Sequence, residues 1–119
     1  MKRVLVVDDE ELVRDLTVHV LKRAGYEVVA AASARQALEL VETHSIDLVV
    51  SDVVMPELTG VELLTELRER RPDLPVVLMT GGSPEPDRTT NALELGACAI
   101  VFKPFTHAQL RDAVAAALS

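Results

Sequence analysis

Short apolar runs alternate with longer amphipathic stretches along the whole chain, and this alternation predicts the fold. Five runs rich in Val, Ile, Leu or Ala are too short for helices and occupy residues 4–7, 28–30, 46–51, 75–79 and 99–102. A continuous apolar run of this length is typical of a strand that is covered on both faces. Because helical patterns separate the runs, the sequence predicts an α/β fold in which a five-stranded parallel sheet carries helices on both faces.

Local signals mark where the predicted helices begin and end. Ser33 and Thr106 are typical N-cap residues, and Gly25 stands where the first helix is expected to stop. Pro72 forbids continuation of the third helix, and Gly96 ends a weaker fourth helical pattern that follows a stretch rich in Gly and Pro. In the first helix, the residues at helical spacing that are expected to face the core are Val13, Leu16, Thr17, Val20 and Ala24.

The composition limits the class of protein. The chain, residues 1–119, is expected to form a single domain, and 49% hydrophobic with 26% charged residues argues against disorder. The chain has 12 Lys and Arg and 19 Asp and Glu, which gives a net charge of −7. This charge disfavours direct nucleic-acid binding, because affinity for nucleic acids comes mainly from Lys and Arg side chains that neutralise the phosphates. No apolar run approaches the roughly 20 residues of a membrane-spanning helix, and no signal peptide is expected.

The cysteine and histidine content indicates a reducing compartment and no Cys/His metal site. Cys98 is the single Cys, so no internal disulfide is possible and a cytoplasmic location is expected. Its small neighbours predict that Cys98 is buried as a hydrophobic residue. His19, His44 and His107 share no metal-ligand spacing and are expected on solvated helix surfaces or ends.

Polar residues gather at the carboxyl ends of the predicted strands. Asp8 and Asp9 follow the first strand, and Asp52, Thr80 and Lys103 end the third, fourth and fifth. In a parallel sheet these ends share one edge, where open α/β folds bind their ligands. Carboxylates without nearby Cys or His favour a hard cation such as Mg²⁺. A lysine and a hydroxyl beside them suit a transferring phosphoryl group, which a carboxylate can accept as an acyl phosphate.

Each of these residues, taken alone, also has a purely structural interpretation. Asp8 and Asp9 could cap a helix, Asp52 could belong to a turn, and Thr80 and Lys103 could be ordinary strand-end residues. Their joint placement at the ends of different strands on one sheet edge favours a functional site instead.

Four motifs, in order along the chain, carry a resemblance to a known family. They are Val-Val-Asp-Asp-Glu at 6–10, Ser-Asp-Val-Val-Met-Pro at 51–56 with Gly60, Val-Val-Leu-Met-Thr-Gly-Gly at 76–82 and Val-Phe-Lys-Pro-Phe at 101–105. With these motifs the chain resembles, from residue 2 to residue 118, the receiver domain of two-component response regulators, of the chemotaxis-regulator-like kind. The resemblance implies a doubly wound, flavodoxin-like sheet of strand order 2-1-3-4-5 with five helices.

The resemblance also implies partners and a phosphotransfer reaction. A sensor histidine kinase or a histidine phosphotransfer protein would pass a phosphoryl group to Asp52. Thr80 and Lys103 would then contact the phosphoryl oxygens, and the resulting conformational switch would control an output partner or domain. A cis peptide bond between Lys103 and Pro104 is implied as well.

A metal ion is the cofactor that the resemblance implies. Mg²⁺ or Mn²⁺ would be held by Asp9, Asp52 and the backbone carbonyl of Val54, with Asp8 acting mainly through metal-bound water. Two departures from the family are visible. Ile100 stands where the family often has an aromatic residue that moves with the Thr, and Val54 and Gly82 bring no polar side chain to the phosphoryl pocket.

Two other classes of function fit the sequence less well. An Asp-nucleophile phosphatase of the haloacid dehalogenase kind requires an Asp-x-Asp pattern after the first strand, whereas Asp8 and Asp9 are adjacent here. A receiver-like scaffold that binds partners without phosphorylation is disfavoured by the complete set of acidic, Thr and Lys residues. Leu12 and Val13, with the loop after Pro104, are expected to form either a small docking patch for the phosphodonor or simply the rim of the core.

Overall fold

The computed structural model describes residues 2–53, 60–80 and 96–118. Nine helices and strands in these ranges follow one another as β1 Arg3–Val7, α1 Glu11–Arg23, β2 Glu27–Ala31, α2 Ala34–Thr43, β3 Leu48–Asp52, α3 Gly60–Arg70, β4 Val76–Thr80, β5 Ala99–Phe102 and α4 His107–Leu118. The five strands form one parallel sheet of order β2-β1-β3-β4-β5. Both the predicted fold class and the implied strand order are therefore confirmed.

The helices cover both faces of the sheet because successive strand residues point to opposite sides. Leu5 and Val7 of β1 belong to the core under α2 and α3, whereas Val4 and Val6 belong to the core under α1 and α4. The three central strands β1, β3 and β4 are buried on both faces, which explains their continuous apolar sequence, whereas the edge strands β2 and β5 are partly exposed. Among the described helices, none combines the length and the apolar character that a membrane span requires.

Both predicted N-caps hold their helices as expected. Ser33 accepts a hydrogen bond from the backbone N–H of Gln36, and the Gln36 side chain accepts one from the N–H of Ala32. At the start of α4 the N–H of Gln109 donates to the Thr106 hydroxyl oxygen, and the N–H of Thr106 itself donates to the Gln109 side chain. These capping boxes satisfy N–H groups that would otherwise lack a partner at the helix ends.

The turn after α1 shows why a glycine is needed there. Gly25 has φ of +101°, in the left-handed region that L side chains rarely adopt. This conformation lets the N–H of Tyr26 donate to the carbonyl of Leu21 and directs the chain into β2. Gly25 therefore ends α1, as predicted.

Some predicted features lie outside the described residues, and others are wrong. The fourth predicted helix, which extends to about residue 95, falls outside the described ranges. In α1 the buried residues are Thr17, Val20 and Leu21, so Leu16 and Ala24 face solvent. Leu16 directly precedes buried Thr17, and successive helix residues are rotated by about 100° around the helix axis. Leu16 therefore lies on the outer side of α1.

The prediction that Cys98 is buried is also wrong. Cys98 is exposed, whereas its neighbour Ala97 is buried. The N–H of Cys98 donates to the carbonyl of Val76 as the chain enters β5. In this extended segment neighbouring side chains point to opposite sides, so the inward position goes to Ala97.

Candidate phosphoacceptor site

The five predicted site residues stand at the carboxyl edge of the sheet. Asp8 and Asp9 follow β1, Asp52 is the last residue of β3, Thr80 is the last residue of β4, and Lys103 directly follows β5. β1 and β3 lie side by side, and the strand order reverses between them. This is the ligand-binding position of open α/β folds.

Backbone hydrogen bonds fix the strand ends that carry these side chains. The N–H of Asp8 donates to the carbonyl of Ala31, and the N–H of Val53 donates to that of Met79. The N–H of Lys103 donates to the carbonyl of Thr80 over 2.7 Å. The peptide bond between Lys103 and Pro104 is cis, as the family resemblance implied.

Three carboxylates meet at this edge. Asp8, Asp9 and Asp52 each bring one oxygen to a group whose members lie within 4.8 Å of one another. Asp8 is fully buried and Asp52 is 5% exposed, whereas Asp9 is exposed to solvent. Oxygen ligands in this number, with one open side, suit a hard divalent cation that keeps some of its water.

Lys103 supplies positive charge to the two buried carboxylates. Its Nζ lies 3.1 Å from Oδ2 of Asp52 and 3.4 Å from Oδ2 of Asp8, and its side chain is only 18% exposed. One ammonium group therefore bridges residues from the first and third strands. It stands where it would also meet a negatively charged group bound to either carboxylate.

The electrostatics of the site reflect competition between burial and pairing. Burial raises the pKa of Asp8 above its ordinary value of 3.8, and the nearby Asp52 raises it further. The N–H of Glu10 and the charge of Lys103 act against this rise without cancelling it. For Lys103, burial lowers the pKa, but attraction to Asp52 and Asp8 outweighs burial and leaves the pKa above 10.5. Lys103 is therefore a cation at neutral pH.

Two contacts at Asp8 were missed by the sequence interpretation. Oδ1 of Asp8 accepts a hydrogen bond from the N–H of Glu10 over 2.9 Å, which is an Asx turn rather than a helix cap. Arg14 donates from Nη1 to the carbonyl oxygen of Asp8 over 3.0 Å. The Asx turn could have been recognised from an Asp just before a helix, whereas the Arg14 contact has no local sequence signal.

Some predicted site features fall outside the described residues. They are Val54, Gly81 and Gly82. Ile100, in contrast, is described: it is half-buried, pairs in register with Leu78, and packs on the core beneath α2 and α3. An aliphatic side chain thus occupies the place where the family often has an aromatic one.

Apolar side chains stand beside the acidic edge. Leu12 is 85% exposed and Leu16 is 46% exposed, and both lie on α1, which starts just after the Asp8–Asp9 pair. Leu12 therefore is not part of the core rim. The residues His19, His44 and His107 are exposed, as predicted.

Comparisons with known proteins agree with this geometry. Residues 4–115 match the family model of the response regulator receiver domain. The chain is 38% identical over 117 residues to the alkaline phosphatase synthesis transcriptional regulatory protein PhoP of Bacillus subtilis (strain 168), a match that covers 98% of this chain and 48% of that protein. It is 37% identical over 119 residues to the transcriptional regulatory protein PdtaR of Mycobacterium tuberculosis (strain ATCC 25618 / H37Rv), covering 99% of this chain and 57% of that protein.

A solved structure extends the comparison to three dimensions. The chemotaxis protein CheY4 of Vibrio cholerae superposes with a TM-score of 0.93 at 32% sequence identity, covering 99% of both chains. The present chain spans about half the length of the two transcriptional regulators. Because the family model matches nearly the whole chain and the strand order, the acidic edge and the relatives all agree with it, this chain belongs to the receiver domain family of two-component response regulators.

Proposed function

We propose that Asp52 is the phosphoacceptor of this receiver domain. The observation that carries the proposal is the position of Lys103, whose Nζ lies 3.1 Å from Asp52 and 3.4 Å from Asp8. Asp8 has both of its oxygens engaged, one by the N–H of Glu10 and one by Lys103, so it is held as a fixed acceptor of hydrogen bonds. Asp52 is buried, whereas Asp9 is exposed, and Asp52 is in direct contact with Lys103. A phosphoryl group added to Asp52 would therefore lie beside the ammonium group.

The transfer itself is a substitution at phosphorus. An oxygen of Asp52 forms a bond to the phosphorus of a phosphohistidine while the phosphorus–nitrogen bond breaks, and the imidazole leaves and takes up a proton. Lys103 stabilises the charge on the phosphoryl oxygens as the bond forms. The Thr80 hydroxyl, at the end of the neighbouring strand, then donates to the same group. We propose that this domain catalyses only its own phosphorylation and dephosphorylation.

The carboxylates fit the cofactor that the family implies. Asp8, Asp9 and Asp52 form an all-oxygen donor set with one exposed member, which suits Mg²⁺ or Mn²⁺. Asp9 and Asp52, with the Val54 carbonyl, would hold the ion, and Asp8 would act mainly through its water. When bound, the ion neutralises the charge that the carboxylates and the phosphoryl group bring together.

Chemical phosphorylation tests the assignment of the acceptor. Acetyl phosphate with Mg²⁺ is expected to add one phosphoryl group that hydroxylamine removes, as it does from acyl phosphates. Asp52→Asn should abolish this adduct in intact-mass spectra because an amide is not a competent nucleophile here. Asp73→Asn, which removes an exposed carboxylate elsewhere, should be phosphorylated like the parent. Labelling that persists in Asp52→Asn would assign the acceptor to another residue.

We further propose that the phosphodonor docks on the apolar start of α1. Leu12 and Leu16 are one turn apart and exposed, beside the acidic edge where a phosphohistidine must arrive. A sensor histidine kinase or a histidine phosphotransfer protein presents its histidine on a helix, and an apolar patch of this kind suits a helix face. The domain, residues 1–119, then signals to an output partner or domain without itself contacting nucleic acid, and we place it in the cytoplasm.

A comparison of two phosphodonors tests the docking surface. Leu12→Ala should slow phosphorylation by a histidine kinase that phosphorylates the parent, by about tenfold for a central apolar contact. Its phosphorylation by acetyl phosphate should be unchanged, because the small donor does not need the patch. If kinase and acetyl phosphate rates respond alike, Leu12 affects the site rather than the docking.

A further inference from the structure

A basic groove runs between α1 and α4, on the face of the sheet opposite α2 and α3. Its volume is about 330 Å³, and the residues that line it are His19, Val20, Arg23, Ala24, His107 and Arg111. Buried Val20 forms the apolar floor, and the other five residues are exposed. None of the proposed phosphoacceptor residues lines this groove.

The charge of the groove is opposite to that of the chain. The chain carries a net charge of −7, yet every titratable side chain that lines the groove is a His or an Arg. Arg3 and Arg70 elsewhere pair with glutamates. Within the described ranges, in contrast, none of the four basic groove residues forms an ion pair with a carboxylate. The two arginines therefore bring to the groove positive charge that no carboxylate of the described residues pairs with, and the two histidines add ring nitrogens.

Helix electrostatics account for only one of the four basic residues. Arg23 lies in the last turn of α1, where a cation is favourable for the helix dipole. His107 and Arg111 occupy the first turns of α4, where the same dipole disfavours cations, and that first turn contains no acidic residue. The positive end of α4 therefore adds to the basic side chains instead of being offset by them.

The side chains form two matched pairs on facing helices. Arg23 follows His19 by one turn on α1, and Arg111 follows His107 by one turn on α4. Arg111 Nε donates a hydrogen bond to the carbonyl of His107 over 3.4 Å, which leaves its two terminal amino groups for a ligand. Pairs at this spacing lie side by side on a helix and gain no attraction when both members are basic. An anion between the two helices would contact all four residues.

We propose that this groove binds a small phosphate-bearing anion, a diphosphate or a compound that carries one. Guanidinium groups match phosphate oxygens with two parallel hydrogen bonds, and imidazoles add further donors. The groove volume lies at the low end of small-molecule sites, so it admits a diphosphate with part of its carrier but not a helix. A nucleic-acid strand is disfavoured because the chain as a whole carries a net charge of −7.

Titration calorimetry and amide NMR with inorganic pyrophosphate test the proposal on metal-free protein. We expect saturable binding and amide shifts confined to residues 19–24 and 106–111. Arg23→Gln and Arg111→Gln should each weaken binding about tenfold, the loss of a charge-assisted hydrogen bond. Arg35→Gln makes the same charge change at an exposed position of α2, on the opposite face of the sheet. This variant should bind pyrophosphate like the parent. Asp52→Asn should also bind like the parent, because the groove does not depend on the phosphoacceptor.

Competing ligands decide the ligand class, and two negative results would overturn the site. Adenosine diphosphate that binds more tightly than pyrophosphate at the same residues would indicate a nucleotide as the carrier, whereas equal binding would indicate the free diphosphate. Succinate that binds as tightly as pyrophosphate would overturn the assignment to phosphate in favour of carboxylates. Absence of saturable binding at millimolar pyrophosphate, or equal weakening in Arg35→Gln, would overturn the site itself.

Discussion

At the scale of single residues, the acidic edge is a balance among three carboxylates and one lysine. Asp8 and Asp52 are buried against a single ammonium group, and Asp9 adds a third negative charge at the rim. Burying charges is costly unless pairing compensates, and here the compensation is incomplete because the pKa of Asp8 stays above its ordinary value. The metal-free domain is therefore strained electrostatically at the position of the proposed cation site.

The substitution Asp8→Asn should make the metal-free protein more stable. Asn removes one buried negative charge and keeps an oxygen that can accept from the N–H of Glu10, while Asp52 and Lys103 remain as a balanced pair. We expect the free energy of unfolding in urea to rise by about 1 kcal/mol. Asp15→Asn makes the same charge change at an exposed position of α1 and should leave the stability close to that of the parent. Equal stabilisation by both variants would indicate a general charge effect instead.

At the scale of elements, short-range signals placed the helices well. The capping boxes at Ser33 and Thr106 and the left-handed turn at Gly25 each depend on residues within a few positions of one another. The register of each strand, in contrast, follows from which side chains are buried on each face. Caps therefore determine where helices start, and burial determines how strands align.

Removal of the α2 cap tests this local contribution. Ser33→Ala loses the hydrogen bond from the N–H of Gln36 and should lower the free energy of unfolding by about 1 kcal/mol. Ser45→Ala, in the exposed loop before β3, serves as the matched control and should change the stability little. Loss of the same size in both variants would mean that the cap contributes nothing specific.

At the scale of the whole molecule, the proposed metal binding should be linked to folding. Asp9 and Asp52 are 43 positions apart in the chain (52 − 9), so the group of carboxylates exists only in the folded chain. A ligand that binds only the folded state stabilises it by mass action. Magnesium should therefore act on global unfolding and not only on the local geometry of the site.

Thermal unfolding at increasing Mg²⁺ concentration measures this linkage. At about 100 times the dissociation constant, the stability should increase by about 2.7 kcal/mol, with a corresponding rise in Tm. Asp9→Ala should lose most of this increase because it removes a proposed ligand that is exposed and not needed for packing. Glu39→Ala, which removes an exposed carboxylate on α2, should keep it. A full Mg²⁺ response in Asp9→Ala would exclude Asp9 as a ligand.

The sequence by itself determined the parts of this protein that depend on short-range order. Continuous apolar runs predicted all five strands, cap signals predicted the starts of α2 and α4, and a glycine predicted the end of α1. The strand ends predicted which polar residues share one edge. These inferences succeed because helix periodicity, strand burial and capping act over a few residues. The family resemblance supplied the strand order that periodicity alone left open.

Only the tertiary structure decided which groups touch. Lys103 contacts Asp8, which is 95 positions away in the chain. Arg14 donates a hydrogen bond to the Asp8 carbonyl, and no local sequence pattern predicts this contact. The outward positions of Leu16 and Cys98, and the meeting of basic residues from α1 and α4 in one groove, were likewise invisible in the sequence. Burial and charge pairing depend on neighbours that are distant along the chain, and only folding brings those neighbours together.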